Sequence, residues 1–448
     1  MYKASILLVM FLLFIVFSSI ADESQEAIQS LKEERLETIQ YGIGSQVTDL
    51  IKQLEIEKDF DFNEEFLELL KVSINNRLDQ SIINLYKLSD DDRAVEFIFQ
   101  KLQNDFNLSD ENRISYIEYI SKYQTSEITD FLKTLIDEES NSVAIAAITA
   151  LGKSESKIIA PQLIDYLQDP LIDELRKPVI VEALGKLKAE DALEAVTDLA
   201  TDIYSNNKSL RWKAVVALGD ICAEESLPVL ESLFSDNDPY LRNYTLTAIK
   251  NFPLKDIKPI LIQGLKDSSW RVRVNAAESL GELKVKDAVP ILIYKSKNDP
   301  DIKNVRTATL SALGEIGGRE AFDFIRELYV NDRTILNLRN ISISILAEKD
   351  LSNSLKAIKE LISEEWDKSN TNILDYTCKI LSTTKSSSLK ELYKKMLGYD
   401  KNINLKLYAL RGIRLNLISS LKDDVELLTG EDNPNPIRKL AIDVLKDI

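Results

Sequence analysis

The sequence predicts an all-α protein, an α-solenoid of about 10–12 stacked antiparallel helix pairs. The first observation is a basic column: eleven positions recur at intervals of 31 to 34 residues, and nine of them are lysine or arginine. The second is an aliphatic residue seven positions after each of these, which glycine follows in five repeats. The third is that no alternating strand pattern competes with the helical one. Two short helices and two turns account for a repeat of this length.

The repeat can be followed through most of the chain. The basic column consists of Arg113, Ala144, Lys177, Arg211, Arg242, Arg273, Arg306, Arg339, Ile373, Lys406 and Arg438. The aliphatic positions are Ile120, Leu151, Leu184, Leu218, Ile249, Leu280, Leu313, Leu346, Ile380, Ile413 and Leu445. Since the two columns keep a constant separation, each repeat is expected to place them on the same helix.

The stretch from Asp267 to Asp299 shows the elements of one repeat in order. Asp267 and the two serines after it supply an N-cap for the first helix of this stretch. The apolar residues of that helix recur on one face and are Val272, Ala276, Leu280 and Leu283. Gly281 near its end permits either a tight helix end or close approach of the next helix. Pro290 marks the first turn of the following helix, and residues 298–301 turn the chain into the next repeat.

The spacing Asp-x-x-x-x-x-Arg-x-x-Ala-x-x-x-Leu-Gly, which runs from Asp267 to Gly281, resembles the HEAT-like repeat of the bilin-lyase type. This resemblance implies paired antiparallel helices and an arginine that ties the turns between repeats to a nearby aspartate. The match is regular over 140–330 and degenerate over 44–139 and 331–448, as expected near the ends of a solenoid. Residues 22–43 are expected to form either an N-terminal helix or a partner-binding arm.

Residues 1–21 have the composition of a secretory signal peptide. A basic start at Lys3 precedes an apolar run of 12 residues and a small-x-small site, which predicts cleavage after Ala21. The apolar run is shorter than the ~20 residues that a helix needs to cross a bilayer. We therefore expect the mature chain to be periplasmic or otherwise exported, with membrane contact only through this segment if it stays uncleaved.

Composition disfavours several classes of function. The chain has a formal net charge of −17, which repels nucleic acid and anionic lipid. It contains no histidine, so it lacks the base of Ser-His-Asp and Cys-His nucleophile systems and the usual zinc ligand. Its two cysteines, Cys222 and Cys378, lie about five repeats apart, too far for a disulfide in a solenoid. We expect no metal, no cofactor and no catalytic residues.

The basic column has two interpretations. It could be a stripe that binds an acidic ligand, or it could hold the repeats together. An aspartate recurs six residues before the basic residue, for example at Asp236 and Asp267, and this pairing favours the structural role. Exposed ion pairs are worth about 0–1 kcal/mol each, so such a ladder would fix the stacking angle more than it would add stability.

A group of aromatic and polar side chains in the middle of the array is the candidate partner-binding site. Its aromatic members lie at the starts of three successive second helices, which the resemblance places on the inner surface. Because aromatic and arginine side chains dominate interface energies, we expect a binding hot spot there, and the alternative is ordinary packing at helix starts. The predicted residues are Trp212, Lys213, Tyr240, Tyr244, Trp270, Arg271 and Asn275.

Three functions remain open. The first is a non-catalytic protein-protein interaction scaffold in the bacterial cell envelope, which presents a long concave surface to a protein partner. The second is an exported ligand-binding or host-binding protein that uses the aromatic group. The third is an enzyme of a HEAT-like family, which the missing histidines and the acidic charge disfavour. The identity of the partner and the oligomeric state do not follow from the sequence.

Overall fold

In a computed structural model, the structure describes residues 28–105, 107–123, 125–138, 140–154, 157–366, 368 and 372–448. These residues form helices joined by turns, with no strand among them, and the prediction of an all-α solenoid is confirmed. The predicted signal peptide and its cleavage site lie outside the described residues. Within the ranges above, no helix combines the length and the apolarity that a membrane crossing requires.

The chain divides into two compact units, residues 1–226 and 227–448. The first unit contains α1 (28–41), α2 (Gly44–Glu57), α3 (Asn63–Val72), α4 (Asn76–Ser89), α5 (Val95–Asn104), α6 (Asp110–Ile120), α7 (Ser126–Thr134), α8 (Asn141–Gly152), α9 (Ala160–Gln168), α10 (Lys177–Lys186), α11 (Leu193–Thr201) and α12 (Lys208–Ile221). The second unit begins one residue into α13 (Ser226–Leu233) and continues with α14 (Pro239–Ala248), α15 (Leu254–Gly264), α16 (Trp270–Glu282), α17 (Val289–Asn298), α18 (Thr307–Ile316), α19 (Arg319–Val330), α20 (Leu336–Lys349), α21 (Leu351–Glu365), α22 (Asn372–Leu381), α23 (Lys390–Leu397), α24 (Ile403–Leu415), α25 (Lys422–Glu426) and α26 (Asn435–Asp447).

Each unit consists of two layers of helices. An even-numbered helix packs side by side with the next even-numbered helix, as α8 does with α10 and α16 with α18. Odd-numbered helices form the other layer, where neighbours such as α9 and α11 or α17 and α19 contact each other less. An odd-numbered helix packs mainly on the even-numbered helix that follows it, so the repeat is an odd helix and then an even helix. The basic column lies on the even-numbered layer.

The core lies between the two layers. The alanine and leucine of the motif fill it, and Ala276 and Leu280 of α16 are fully buried. The same is true of the leucines before the other motif glycines, which are Leu151, Leu184, Leu218 and Leu313. Each fully buried leucine contributes about 1.5–3 kcal/mol from the hydrophobic effect. Nine of the eleven residues of the predicted aliphatic column are buried in this core, and the other two, Ile380 and Leu445, are half-buried.

The glycine after the motif leucine sets the distance between neighbouring even-numbered helices. A Cβ on Gly185 would lie 2.9 Å from Cα of Ala217, and a Cβ on Gly281 would lie 2.9 Å from Cα of Ala312. Each alanine belongs to the next even-numbered helix. Of the two roles that the sequence suggested for this glycine, close approach of helices is the one that the structure shows.

Two arginines of the basic column, Arg242 and Arg273, each connect their repeat to the next in the second unit. Arg242 donates from Nε and Nη2 to the carboxylate of Asp267, at 2.8 and 2.7 Å, and from Nη1 to the backbone oxygen of Asp236 at 2.8 Å. Arg273 repeats this arrangement one repeat later. Its Nη2 donates to Oδ1 of Asp299 at 3.0 Å, and its Nη1 donates to the backbone oxygen of Asp267 at 2.9 Å. The aspartate six residues upstream thus offers its carbonyl to its own arginine and its carboxylate to the arginine before it.

The first described helix, α1, is held by an arginine of its own. Arg35 is buried and donates from Nη2 to Oε2 of Glu57 at 2.5 Å and from Nη1 to Oδ2 of Asp59 at 2.7 Å. Glu57 is the last residue of α2, and Asp59 follows in the turn. The guanidinium therefore ties α1 to the C-terminal end of α2.

Candidate partner-binding surface

An open groove of about 360 Å³ lies between the solvent-facing sides of α14 and α16 in the second unit. Both helices belong to the even-numbered layer and pack side by side. The groove is lined by Asn243, Thr247, Lys250, Trp270, Arg271, Val274, Asn275, Glu278, Ser279 and Glu282. We call it the α14–α16 groove. It combines aromatic, cationic, amide and carboxylate groups, which is the mixture found at protein-binding hot spots rather than in an apolar ligand cavity.

A cation–π cluster stands at one end of the α14–α16 groove. Cζ of Arg271 lies 4.4 Å from the ring centroid of Trp270 and 5.7 Å from that of Tyr240. Trp270 is the first residue of α16 and Tyr240 is the second of α14, so both rings lie at the N-terminal ends of their helices. Arg271 and Tyr240 are exposed and Trp270 is half-buried. Contacts of this kind are worth about 0.5–1 kcal/mol at exposed sites, enough to hold the three side chains together before a partner arrives.

Asn275 joins the two helices at the floor of the groove. Its Nδ2 donates to the backbone oxygen of Asn243 at 3.2 Å and to Oγ1 of Thr247 at 3.0 Å. Its Oδ1 accepts a hydrogen bond from Oγ of Ser279 at 3.1 Å. Because most of its hydrogen-bonding groups are used within the chain, Asn275 shapes the groove more than it offers groups to a ligand.

The other end of the groove carries charge. Lys250, in the short helical turn 249–251 that follows α14, and Glu282 of α16 form an ion pair of 2.5 Å. Glu278 lies one turn before Glu282. Its pKa is raised mainly because the carboxyl is partly buried, and also because the nearby Glu282 carboxylate repels its negative charge. A cation that approached Glu278 would relieve this repulsion, so this end favours a positively charged group.

The structure brings together four of the seven predicted site residues. Trp270, Arg271 and Asn275 line the groove, and Tyr240 joins them through Arg271. Tyr244 is half-buried on α14 and does not line the groove.

The remaining two predicted residues belong to the first unit. Trp212 and Lys213 lie on α12 and are both half-buried. Lys213 donates from Nζ to Oε2 of Glu182 on α10 at 2.6 Å. Lys213 therefore links two neighbouring repeats, and its partner-binding role stays a prediction.

Sequence reasoning missed the charged end of the groove and the residues that line it from α14. On α16 the lining residues Arg271, Asn275, Glu278 and Glu282 follow one another at intervals of three or four. Asn243 and Thr247 of α14 and Lys250 in the turn after it have the same spacing. Steps of three or four residues from Arg271 stay on one face of the helix, and following them would have led to Glu278 and Glu282. The prediction took the aromatic residues at helix starts with Lys213, Arg271 and Asn275 among them, and it did not follow the helix face beyond Asn275.

The two layers of helix pairs, the close-packed glycines and the arginine–aspartate ladder define an α-solenoid of HEAT-like repeats. The chain belongs to the spirochaete HEAT repeat protein family, whose family model matches residues 39–444. The resemblance to HEAT-like repeats predicted from the sequence is thereby confirmed.

Solved structures with a similar fold include yeast importin-beta (Kap95p), which is 14% identical with a TM-score of 0.53. The match covers 86% of this chain and 61% of importin-beta. The same importin-beta in a structure with RanGDP gives a TM-score of 0.54 at 14% identity, and the match covers 86% of this chain and 60% of that one. This chain therefore spans about three fifths of the length of these importin-beta chains. The comparison with curated proteins finds no similar sequence.

Proposed function

We propose that this protein is a non-catalytic protein-protein interaction scaffold of the bacterial cell envelope, which presents the α14–α16 groove to a protein partner. The observation that carries the proposal is the cluster of Trp270, Arg271 and Tyr240 at the mouth of a groove in a HEAT-repeat solenoid. Solenoids of this class are commonly interaction scaffolds, and Kap95p, which has a similar fold, binds RanGDP.

The chemistry of the groove supports a protein partner. Aromatic and arginine side chains held in place before binding lose little conformational entropy when a partner binds. The net charge of −17 argues against nucleic acid as the ligand. The sequence has no histidine, the side chain that enzymes use most often as general acid or base, and this supports a non-catalytic function. The partner is expected to bring a polar or aromatic surface to Trp270 and a cationic group to Glu278.

The groove is tested by crosslinking and pull-down from the native cell with a Trp270→Ala variant. Loss of a buried hot-spot aromatic costs about 2 kcal/mol or more, so the Kd of the captured partner should rise by about 30-fold. Tyr294→Ala is the matched control, because Tyr294 is an exposed aromatic side chain on α17 in the odd-numbered layer. Trp212→Ala forms a separate arm for the first unit.

Undiminished capture by the Trp270→Ala protein, with helicity by circular dichroism equal to wild type, would remove the groove from the proposal. Equal loss of capture in the Tyr294→Ala control would point to a general defect instead of a site.

The cell-envelope setting follows from the N-terminal sequence and has its own test. We expect fractionation to recover the protein from the periplasm, and we expect protease added to intact cells to leave it undigested until the outer membrane is permeabilised. Digestion on intact cells would contradict the envelope scaffold and favour the exported ligand-binding or host-binding protein. An uncleaved N-terminus, found by mass spectrometry of the purified protein, would contradict the predicted processing after Ala21.

A further inference from the structure

The net negative charge of the chain comes from its first unit. Residues 1–226 contain 42 acidic and 22 basic residues, for a net charge of −20. Residues 227–448 contain 31 acidic and 34 basic residues, for a net charge of +3. The first unit therefore attracts cationic partners, whereas the second unit is nearly neutral and attracts neither cations nor anions strongly.

The first unit also carries most of the strongly exposed apolar surface. Among the described residues, twelve large apolar side chains of the first unit are at least three fifths exposed, against three in the second. Four of the twelve lie in two successive connections that lead from an odd-numbered helix into an even-numbered one: Leu171 (90% exposed), Leu175 (65%), Ile203 (66%) and Tyr204 (87%). We call these four side chains the edge patch. Apolar side chains grouped on a surface mark interaction sites, whereas single ones are ordinary.

The topology places the two connections of the edge patch beside each other. One runs from α9 into α10 and the other from α11 into α12, and α10 and α12 pack closely side by side. Both connections therefore lie at the N-terminal edge of the even-numbered layer. Arg176 fixes the first of them, since its Nη1 donates to the backbone oxygen of Ile136 at 2.7 Å and its Nη2 to that of Glu138 at 2.6 Å.

Short turns hold the side chains of the edge patch outward. The backbone N–H two residues after each of Asp169, Asp173 and Asp202 donates to that aspartate's carboxylate, at 2.8, 2.8 and 3.0 Å. These N–H groups belong to Leu171, Leu175 and Tyr204. Such Asx turns fix the backbone locally. The apolar side chains are thus presented from an ordered backbone, which lowers the entropy lost when a partner covers them.

Carboxylates surround the edge patch. Asp173, Glu174 and Asp202 are exposed within the two connections, and Asp198 is exposed in the last turn of α11. Glu174 forms an ion pair of 2.5 Å with Lys177, so the negative charge of the rim comes from the aspartates, of which Asp173 also accepts a hydrogen bond from Nδ2 of Asn141 at 2.8 Å. A partner must therefore offer apolar side chains to Leu171 and Tyr204 and positive charge to the rim.

We infer that the edge patch docks a segment of a partner protein that carries both basic and large apolar side chains. A second copy of this unit is disfavoured because two units, each of net charge −20, repel each other. Nucleic acid and anionic membranes are disfavoured by the same charge. The surface is separate from the α14–α16 groove, and its occupant is defined by charge complementarity.

The test selects peptides from a library of random short sequences displayed on phage and panned on the purified full chain. An excess of the soluble patch variant, Leu171→Ser, Leu175→Ser, Ile203→Ser and Tyr204→Ser combined, competes away binders of all other surfaces. Enriched peptides are expected to be net positive and rich in large apolar residues. Synthetic copies should bind the wild-type chain at least about tenfold more tightly than the patch variant, a difference of about 1.4 kcal/mol.

The matched control is Tyr294→Ser with Leu427→Ser, which removes side chains 62% and 77% exposed from the second unit. This control should bind the selected peptides as tightly as the wild-type chain does. The Trp270→Ala variant should do so too, because its substitution tests only the α14–α16 groove of the proposed function. Circular dichroism of each variant checks that it is folded.

Three outcomes would overturn the inference. The first is enrichment of neutral or acidic peptides. The second is equal affinity for the patch variant and the wild-type chain, which would make the binding purely electrostatic. The third is concentration-dependent self-association in light scattering that the patch variant abolishes, since a second copy of the chain would then be the occupant.

Discussion

Replacing Gly281 by alanine is expected to destabilise the second unit by about 1–3 kcal/mol, even though alanine is the better helix former by about 1 kcal/mol. The new Cβ would lie 2.9 Å from Cα and 3.0 Å from Cβ of Ala312, atoms of a neighbouring helix that cannot move without shifting the next repeat. A lower denaturant midpoint, followed by far-UV circular dichroism, is the measurement.

The control for this substitution is Gly430→Ala. Gly430 is exposed, has φ of −65°, and its nearest neighbour to an added Cβ is the backbone oxygen of Leu427 at 3.9 Å. Alanine at this position should change the free energy of unfolding by less than about 1 kcal/mol. Any change should be a gain in stability, because alanine lowers the conformational entropy of the unfolded chain. A Gly281→Ala protein as stable as wild type would show that the even-numbered helices can separate freely, contrary to the close packing described above.

Arg273→Ala is expected to cost about 3–5 kcal/mol, because it removes one partner of a buried ion pair. The side chains of Arg273 and Asp299 are 9% and 0% exposed, and Nε of Arg273 lies 2.9 Å from Oδ2 of Asp299. The substitution leaves the Asp299 carboxylate with Lys295 at 3.4 Å as its cationic neighbour. It also removes the donor to the backbone oxygens of Asp267 and Ser268.

Two companion variants sharpen the measurement of Arg273. Lys258→Ala removes a solvent-exposed ion pair of 2.6 Å with Asp287 and should leave the stability almost unchanged. Asp299→Ala combined with Arg273→Ala should cost less than the sum of the single variants, because the two residues share one interaction. If Arg273→Ala lowered the free energy of unfolding no more than Lys258→Ala does, the structural role of the basic column would be contradicted. The alternative, a surface stripe that binds an acidic ligand, would then be favoured.

The repeat architecture was predictable because its physical causes are local and recur. The arginine, the aliphatic residue and the glycine are separated by fixed distances within one helix, and the period fixes which helices become neighbours. The direction of the ladder was not predictable. The upstream aspartate suggested a pair within one repeat, whereas the carboxylate of Asp267 binds Arg242 of the repeat before.

The degenerate N-terminal repeats show why a motif can fail while the packing persists. Asp79 of α4 stands 34 residues before Arg113, at the position of the basic column, with the opposite charge. Lys101 of α5 lies 3.2 Å from its carboxylate, and the hydroxyl of Tyr116 donates to it at 3.3 Å. A search for a basic residue cannot find this position, although a buried ion pair occupies it.

The candidate site was predicted less completely than the fold. The sequence placed Trp270, Arg271 and Tyr240 at neighbouring helix starts, and the structure joins them through the Arg271 guanidinium. The sequence did not reveal that Tyr244 is absent from the groove lining or that Lys213 binds Glu182, because both depend on side-chain directions across repeats. The charge difference between the units was visible in the sequence once the boundary near residue 226 was known.

The arginine–aspartate ladder makes the two junctions around α14, α16 and α18 equivalent. Arg242 and Arg273 each bind a carbonyl of their own repeat and a carboxylate of the next, so these two junctions use the same pair of residues. A further repeat inserted here that kept its aspartate and arginine would find a matching junction on both sides. This part of the array could therefore lengthen by duplication of a gene segment without redesign of its interfaces, while exposed residues such as Tyr240 diverge independently.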